Sequence, residues 1–193
     1  MRGFHSKVHP RRIARVYSFQ FLYHLQFRGI KESVENLEGK NILQSIENFN
    51  EMMSAMETDS SKMLAKPEIP IGKNMEYALS LITGVLSKYG ELEKTIETHS
   101  KNWTIAKLAK VDLTILLQST YELMYLRDTP QRVVMDEAIE IAKSFSDEQS
   151  CGFINGVLDA IAKSLSKSND NQSTDKHSTD KQSEEDQDAD RSC

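Results

Sequence analysis

Phe145-Ser146-Asp147-Glu148-Gln149-Ser150-Cys151-Gly152-Phe153-Ile154-Asn155-Gly156-Val157-Leu158-Asp159-Ala160-Ile161 contains the end of one apolar helix, a short polar break and the opening of a second apolar run. Asn155 and Gly156 lie inside that second run, and a glycine in a helix interior costs roughly 1 kcal/mol relative to alanine. The pattern predicts a close helix-helix contact at this point, with Asn155 and Gly156 both buried. Full exposure of both would instead favour a direct partner contact.

Working outward, the helix that ends at Phe145 carries Val134, Ala138, Ile141 and Phe145 on one face. Asp128, Thr129 and Pro130 separate it from a leucine- and isoleucine-rich helix over 108–126, which has Asp112 near its start. Further upstream, Tyr77, Leu81, Ile82, Val85, Leu86 and Tyr89 fit a period of 3.6, and Gly90 is read as the C-cap of that helix. The segment Leu92 to His99 and the lone Trp103 follow it. Residues 31–75 are the least patterned, with a patchy helical period from about 42 to 56 and a connection marked by Pro67 and Pro70. The first helix should start at Pro10, whose fixed φ suits a first turn, and end at Gly29. Its apolar residues fall almost all round the wheel, so it should be buried on most sides. No segment shows the strict alternation of a half-buried strand, which leaves an all-α bundle of about six or seven helices.

The 193 residues are enough for one domain plus an appendage. The net charge of -5 averages over unequal ends. Residues 1–28 hold six basic residues and no acidic one, a net +6, while residues 166–193 hold four basic against eight acidic, a net -4. Three parts are expected: a flexible basic arm over 1–9, a helical domain over 10–165 and a disordered acidic polar tail over 166–193, which has too little apolar surface to offset ordering entropy. Two cysteines, Cys151 and Cys193, give neither a disulfide framework nor a zinc site. No run is long and apolar enough to span a membrane, and the start lacks the core of a secretory signal, so a cytoplasmic location is expected.

Catalytic chemistry finds little support. The five histidines are scattered, no phosphate loop or dinucleotide fingerprint is present, and no cofactor or metal is implied. Cys151 has no nameable base, which favours an inert thiol. Glu137 and Glu140, with Lys143 three residues beyond, read as a solvated ion-paired face. The positive signal is Lys7, Arg11, Arg12 and Arg15. Three arginines in the first turn and a half of a helix repel one another and oppose its dipole, so they are not there for helix stability. Arginine's planar fork suits phosphate and can stack on bases. Taken alone, the cluster fits either a solvated terminus or a nucleic-acid contact.

Arg11-Arg12-Ile13-Ala14-Arg15 followed by Gln20-Phe21-Leu22-Tyr23 resembles the start of the NusB family of bacterial transcription antitermination factors. Tyr121-Glu122-Leu123, Pro130, Glu137 to Phe145 and Phe153-Ile154-Asn155-Gly156-Val157-Leu158-Asp159 follow the family in order and spacing. The resemblance covers roughly residues 10–162 and is most specific in the last 45 or so. It implies a NusB-like bundle in two packed subbundles, without enzymatic activity. Such a protein binds boxA-like RNA together with NusE, a small-subunit ribosomal protein, in RNA polymerase antitermination complexes at ribosomal RNA operons. It implies RNA contacts at Arg11, Arg12 and Arg15, to which Lys7 of the arm could add, and NusE contacts at Tyr23 and Asp112. Phe153 falls where a family aromatic approaches RNA, and an ordinary core phenylalanine is the alternative there. Family members can be monomers or homodimers.

The chain departs from the family at Ile13, Leu113 and Leu117, where arginines are usual. That lowers the local positive charge and leaves two alternatives: a NusB-like protein-interaction module without RNA binding, and an accessory domain like the one found in ribosomal RNA cytosine methyltransferases. Three phosphates held by Arg11, Arg12 and Arg15 would give a salt slope of about -2, from roughly -0.7 per phosphate on single strands.

Overall fold

A computed structural model describes residues 10–30, 42–55, 68–100 and 104–174, with side chains described as far as Lys167. The described residues form seven α-helices and no strand: α1 (Pro10–Arg28), α2 (Ile42–Ala55), α3 (Lys73–Ser87), α4 (Tyr89–His99), α5 (Lys110–Tyr125), α6 (Gln131–Phe145) and α7 (Glu148–Thr174). A single 3-10 turn, Ile105–Lys107, precedes α5. No helix among them is long and apolar enough to cross a membrane.

Helix α5 is central, and its sequence explains why. Every residue from Asp112 to Thr120 is buried, a pattern that only a helix surrounded by other helices can satisfy. It packs on α1 and α3 on one side and on α4, α6 and α7 on the other, which divides the bundle into two groups sharing one core. α2 lies on α1 through Phe49, whose ring meets Tyr17 and Phe21 edge-on at centroid distances of 6.0 and 5.4 Å. Tyr17 donates its hydroxyl to Asn50 at 2.9 Å, so the buried phenol does not lose its partner. Full burial of a side chain such as Phe19, Leu22, Leu92 or Leu116 stabilises the fold by roughly 1.5–3 kcal/mol.

Local signals set the ends of several helices. Gly29, at φ 84°, occupies the left-handed region that ends α1, as its position in the sequence predicts. Asp147 precedes α7 and accepts the Ser150 backbone N–H at 2.8 Å, an N-cap that holds its carboxyl below the usual carboxylate range. The expected C-cap at Gly90 is corrected. The break falls at Lys88, whose N–H bonds the Gly84 carbonyl at 3.0 Å, and Gly90 lies within the first turn of α4. Gly84 is the glycine with a steric task, because a Cβ there would lie 1.9 Å from Cζ of Tyr121. Its absence lets α3 approach α5.

The expectation that Asn155 and Gly156 are buried fails. Both are exposed, and a Cβ at Gly156 would meet nothing within 4 Å. The apolar positions Ile154, Val157, Leu158 and Ile161 turn the opposite face of α7 to the core, and residues 155 and 156 fall between them on the outer side. The helix also continues to Thr174, past the expected domain end at 165. Extending an existing helix needs one hydrogen bond per residue and no new nucleus, so a polar sequence can prolong it. The arm over 1–9 and residues 175–193 lie outside the described residues.

Candidate nucleic-acid interface

The three arginines of α1 do not share one environment. Pro10 starts the helix, and the 3.6 period then turns Arg15 inward toward α5, leaving Arg11 and Arg12 near the rim. Arg15 is 3% exposed. Its Nε and Nη2 donate to the Glu122 carboxylate at 2.9 and 2.5 Å, and Glu122 is itself 1% exposed. Tyr77 of α3 donates its hydroxyl to the same carboxylate in a very short bond. Gln118 adds an N–H to the Arg15 carbonyl at 3.2 Å. Burial pushes the Arg15 guanidinium down, but the hydrogen bonds and charge of Glu122 outweigh it and leave the pKa raised.

Arg12 is the intermediate case, with 37% of its side chain exposed. It grips Glu137 of α6 with both arms of its fork, Nε at 2.9 Å and Nη2 at 2.8 Å, and Glu140 lies 3.9 Å from Nη1. Arg11 is exposed; its guanidinium donates to Thr129 at 3.2 Å and lies over the Tyr77 ring, 5.0 Å from the centroid. The cluster therefore sets two guanidiniums, those of Arg12 and Arg15, against the carboxylates of Glu122, Glu137 and Glu140, while Arg11 meets Thr129 and Tyr77. The sequence expectation of a locally basic patch did not include these carboxylates.

The remaining candidate residues are dispersed. Tyr23 is half-buried, stacked on Phe19 at 5.9 Å and edge-on to Phe27 at 5.0 Å. Phe27 itself is 62% exposed, with Lys110 Nζ 4.3 Å from its ring centre. Asp112 is buried at the junction of α6 and α7. Ser146 and Ser150 donate hydroxyls to its two oxygens at 2.6 and 2.8 Å, so the carboxylate ties that junction to α5. Phe153 is half-buried against the core. Leu113 and Leu117 are core residues here, and Ile13 is half-buried. Cys151 is also half-buried, its thiol 3.6 Å from the Asp147 carbonyl. Lys7 lies outside the described residues.

Glu122, Glu137 and Tyr77 take part in the site without having been singled out as partners of the arginines. Glu122 carried a usable signal: a carboxylate in the middle of an apolar helix requires a buried cation. Glu137 was read as part of a solvated face. That reading is corrected, because its side chain is 13% exposed and faces Arg12, whereas Glu140 does pair with Lys143 at 2.8 Å.

The description "NusB family" matches residues 12–163. The chain belongs to the NusB family. Among its relatives, the transcription antitermination protein NusB of Geotalea uraniireducens is 36% identical over 156 residues, covering 80% of this chain and 95% of that one. The protein of the same name from Nitratidesulfovibrio vulgaris is 34% identical over 160 residues, covering 83% and 92%. In three dimensions the chain is similar to T. maritima NusB, with a TM-score of 0.61, 31% identity and coverage of 80% and 92%. A structure of the antitermination factors NusB and NusE in complex with dsRNA shares the fold at a TM-score of 0.57 and 24% identity, covering 80% and 97%. Both of these relatives are transcription antitermination proteins. The all-helical NusB fold expected from the sequence is the one observed.

Tyr77 gives the protein a pH signature. Burial raises its pKa far above the ordinary phenol value, and the Glu122 charge and hydrogen bond raise it further. The fold thus favours the neutral phenol, so Tyr77 contributes fully below about pH 10, the unfolded value, and its contribution is lost as pH rises beyond it. Urea unfolding at a series of pH values above neutrality should show Tyr77→Phe losing less stability on going past pH ~10 than the wild type. A slope remains from Tyr89 and Tyr125, which are also raised. Identical alkaline slopes for the two proteins would remove Tyr77 from this effect.

Proposed function

We propose that the protein is an RNA-binding transcription antitermination factor that binds boxA-like RNA together with NusE and acts within RNA polymerase antitermination complexes in the cytoplasm. The observation that carries this reading is the pair Arg11 and Arg12, placed side by side at the open start of α1 in a chain of the NusB family. Support also comes from the NusB of the same fold crystallised with NusE and RNA. Arg11 and Arg12 are assigned phosphate contacts, with Lys7 as an additional cation, and Phe153 is assigned a contact to a base, in character with single-strand recognition. Arg15 is assigned a positioning role, because its guanidinium is enclosed by Glu122. NusE is assigned to the face that carries Tyr23, with Asp112 fixing the α6–α7 junction behind it.

Removing Arg15 from the set of phosphate ligands changes the expected salt dependence. Two phosphates at roughly -0.7 each give a slope of log K against log salt of about -1.4. The test is a titration of a boxA-like RNA oligonucleotide, with and without NusE, at several salt concentrations. Arg11→Gln and Arg12→Gln together should weaken binding and flatten the slope while leaving helicity unchanged. Unchanged affinity at two salt concentrations would remove this pair from the mechanism. Glutamine is preferred to glutamate because a carboxylate at position 12 would face Glu137 and Glu140.

One observation favours a second reading, a NusB-like protein-interaction module without RNA binding: two of the three guanidiniums of the cluster, those of Arg12 and Arg15, are already held by carboxylates. Binding to NusE with no RNA binding in the same titration would establish it.

A further inference from the structure

The carboxylates around Arg12 raise the question of how it could meet a phosphate at all. Its fork is filled by Glu137, in the same bidentate geometry that a phosphate would adopt. The pair is unlike Arg15–Glu122, in which both side chains are at most 4% exposed and neither can leave without stranding a charge. Arg12 has solvent on one side, and exposed ion pairs are held weakly.

The two carboxylates that hold Arg12 each have a second cation in place. Glu137 Oε2 is 3.9 Å from Arg15 Nη1, and Glu140 Oε1 accepts from Lys143 Nζ at 2.8 Å. If Arg12 turns outward, neither carboxylate becomes an isolated charge. Resting on the RNA-binding reading above, we infer that Glu137 and Glu140 are a built-in competitor for phosphate at Arg12, and that RNA engages this arginine by exchange. The phosphate takes the Nε and Nη2 edge of the fork, Glu137 shifts onto Arg15, and Glu140 stays with Lys143. Two consequences follow. Arg12 is kept in an ordered, fork-ready conformation in the free protein, and RNA affinity is held below what a bare Arg11 and Arg12 would give. Acidic residues of α6 thereby set the threshold for RNA binding.

The test is a boxA-like RNA oligonucleotide titrated against the full chain at one fixed salt concentration, with thermal melting as the control for folding. Glu137→Gln removes the competitor while keeping its shape, and should tighten binding about threefold to fivefold, the scale of one partly exposed ion pair. Glu140→Gln, on the exposed rim, should tighten it less and serves if Glu137→Gln folds poorly. Asp136→Asn removes the same charge from the same helix, but Asp136 faces Arg132 and not Arg12; it should change affinity by less than about twofold through screened long-range repulsion. The gain from Glu137→Gln should vanish in an Arg12→Gln background.

Arg12→Gln weakening RNA binding while Glu137→Gln and Glu140→Gln leave it unchanged would overturn the exchange and keep the RNA-binding reading. An Asp136→Asn gain equal to that of Glu137→Gln, or a Glu137→Gln gain that survives in the Arg12→Gln background, would also overturn the exchange, reducing it to general charge. If Arg12→Gln by itself has no effect, the assignment of Arg12 to RNA fails and the exchange falls with it.

Discussion

Replacing Arg15 with alanine is expected to destabilise the protein by about 3 to 5 kcal/mol, the usual result of removing one member of a buried ion pair. Glu122 would keep only the Tyr77 hydroxyl, and its carboxylate, 1% exposed, could be reached by little water. At roughly 2 to 4 °C per kcal/mol for a domain of this size, the midpoint should fall by about 6 to 20 °C. Arg12→Ala is the natural comparison, since it breaks a bidentate pair of the same chemistry on the same helix. Its pair is partly in water, and the loss should stay near 1 kcal/mol. A third variant, Arg15→Met with Glu122→Leu, removes both charges and should recover most of the loss, because a buried pair often does no better than a packed apolar replacement. Calorimetry or urea unfolding of the three proteins separates these outcomes. If Arg15→Ala melts as high as Arg12→Ala, the buried pair does not hold α1 to α5.

That prediction places the arginine signal of the sequence in a different light. Spacing alone gave Arg11, Arg12 and Arg15 one role, because Arg15 follows Arg11 by four residues and Arg12 by three, and such pairs are neighbours on a helix. In the fold, the 3.6 period spreads them over an arc from solvent to core, and the neighbouring helices decide what each one meets. Arg15 lies one residue after Ala14 and two before Tyr17, both fully buried, so its inward position was readable from the apolar face of its own helix. The identity of its partner was not, since Glu122 is 107 residues away. The same distinction explains the rest. Helix ends at Pro10, Gly29 and Asp128 to Pro130 are local matters of φ and missing donors, and they were legible. So was the family, whose markers are runs of consecutive residues. Contacts between distant helices were not, such as those of Asp112 with Ser146 and Ser150.

The glycines show where that limit matters most. Gly156 drew attention because it interrupts an apolar run, yet Ile154, Val157, Leu158 and Ile161 already define the buried stripe of α7 and leave residue 156 outside it. Gly84 lies among Leu81, Ile82, Val85 and Leu86 and drew none. Its role depends on Tyr121, on a helix that the sequence does not connect to α3.

Gly84→Ala and Gly156→Ala should therefore move stability in opposite directions. Alanine is the better helix former by about 1 kcal/mol at both positions. At Gly156 the new methyl enters open space, so the substitution should stabilise the protein by about 0.5 to 1 kcal/mol. At Gly84 the methyl would lie 1.9 Å from Cζ of Tyr121, far inside contact distance. Relief requires the Tyr121 ring to move, and that ring is stacked on Tyr125 at 5.2 Å. Tyr125 is held in turn by Lys88 over its face at 5.4 Å. Forcing these groups apart should outweigh the helix propensity and give a net loss of about 1 to 3 kcal/mol, the range for overpacked sites. Combining Gly84→Ala with Tyr121→Ala is the decisive measurement. With the ring gone, Gly84→Ala should change from destabilising to neutral or mildly stabilising, a coupling that two independent sites would not show. If the alanine is as harmful without Tyr121 as with it, another part of the α3–α5 contact resists it, and the ring is not what requires glycine at position 84.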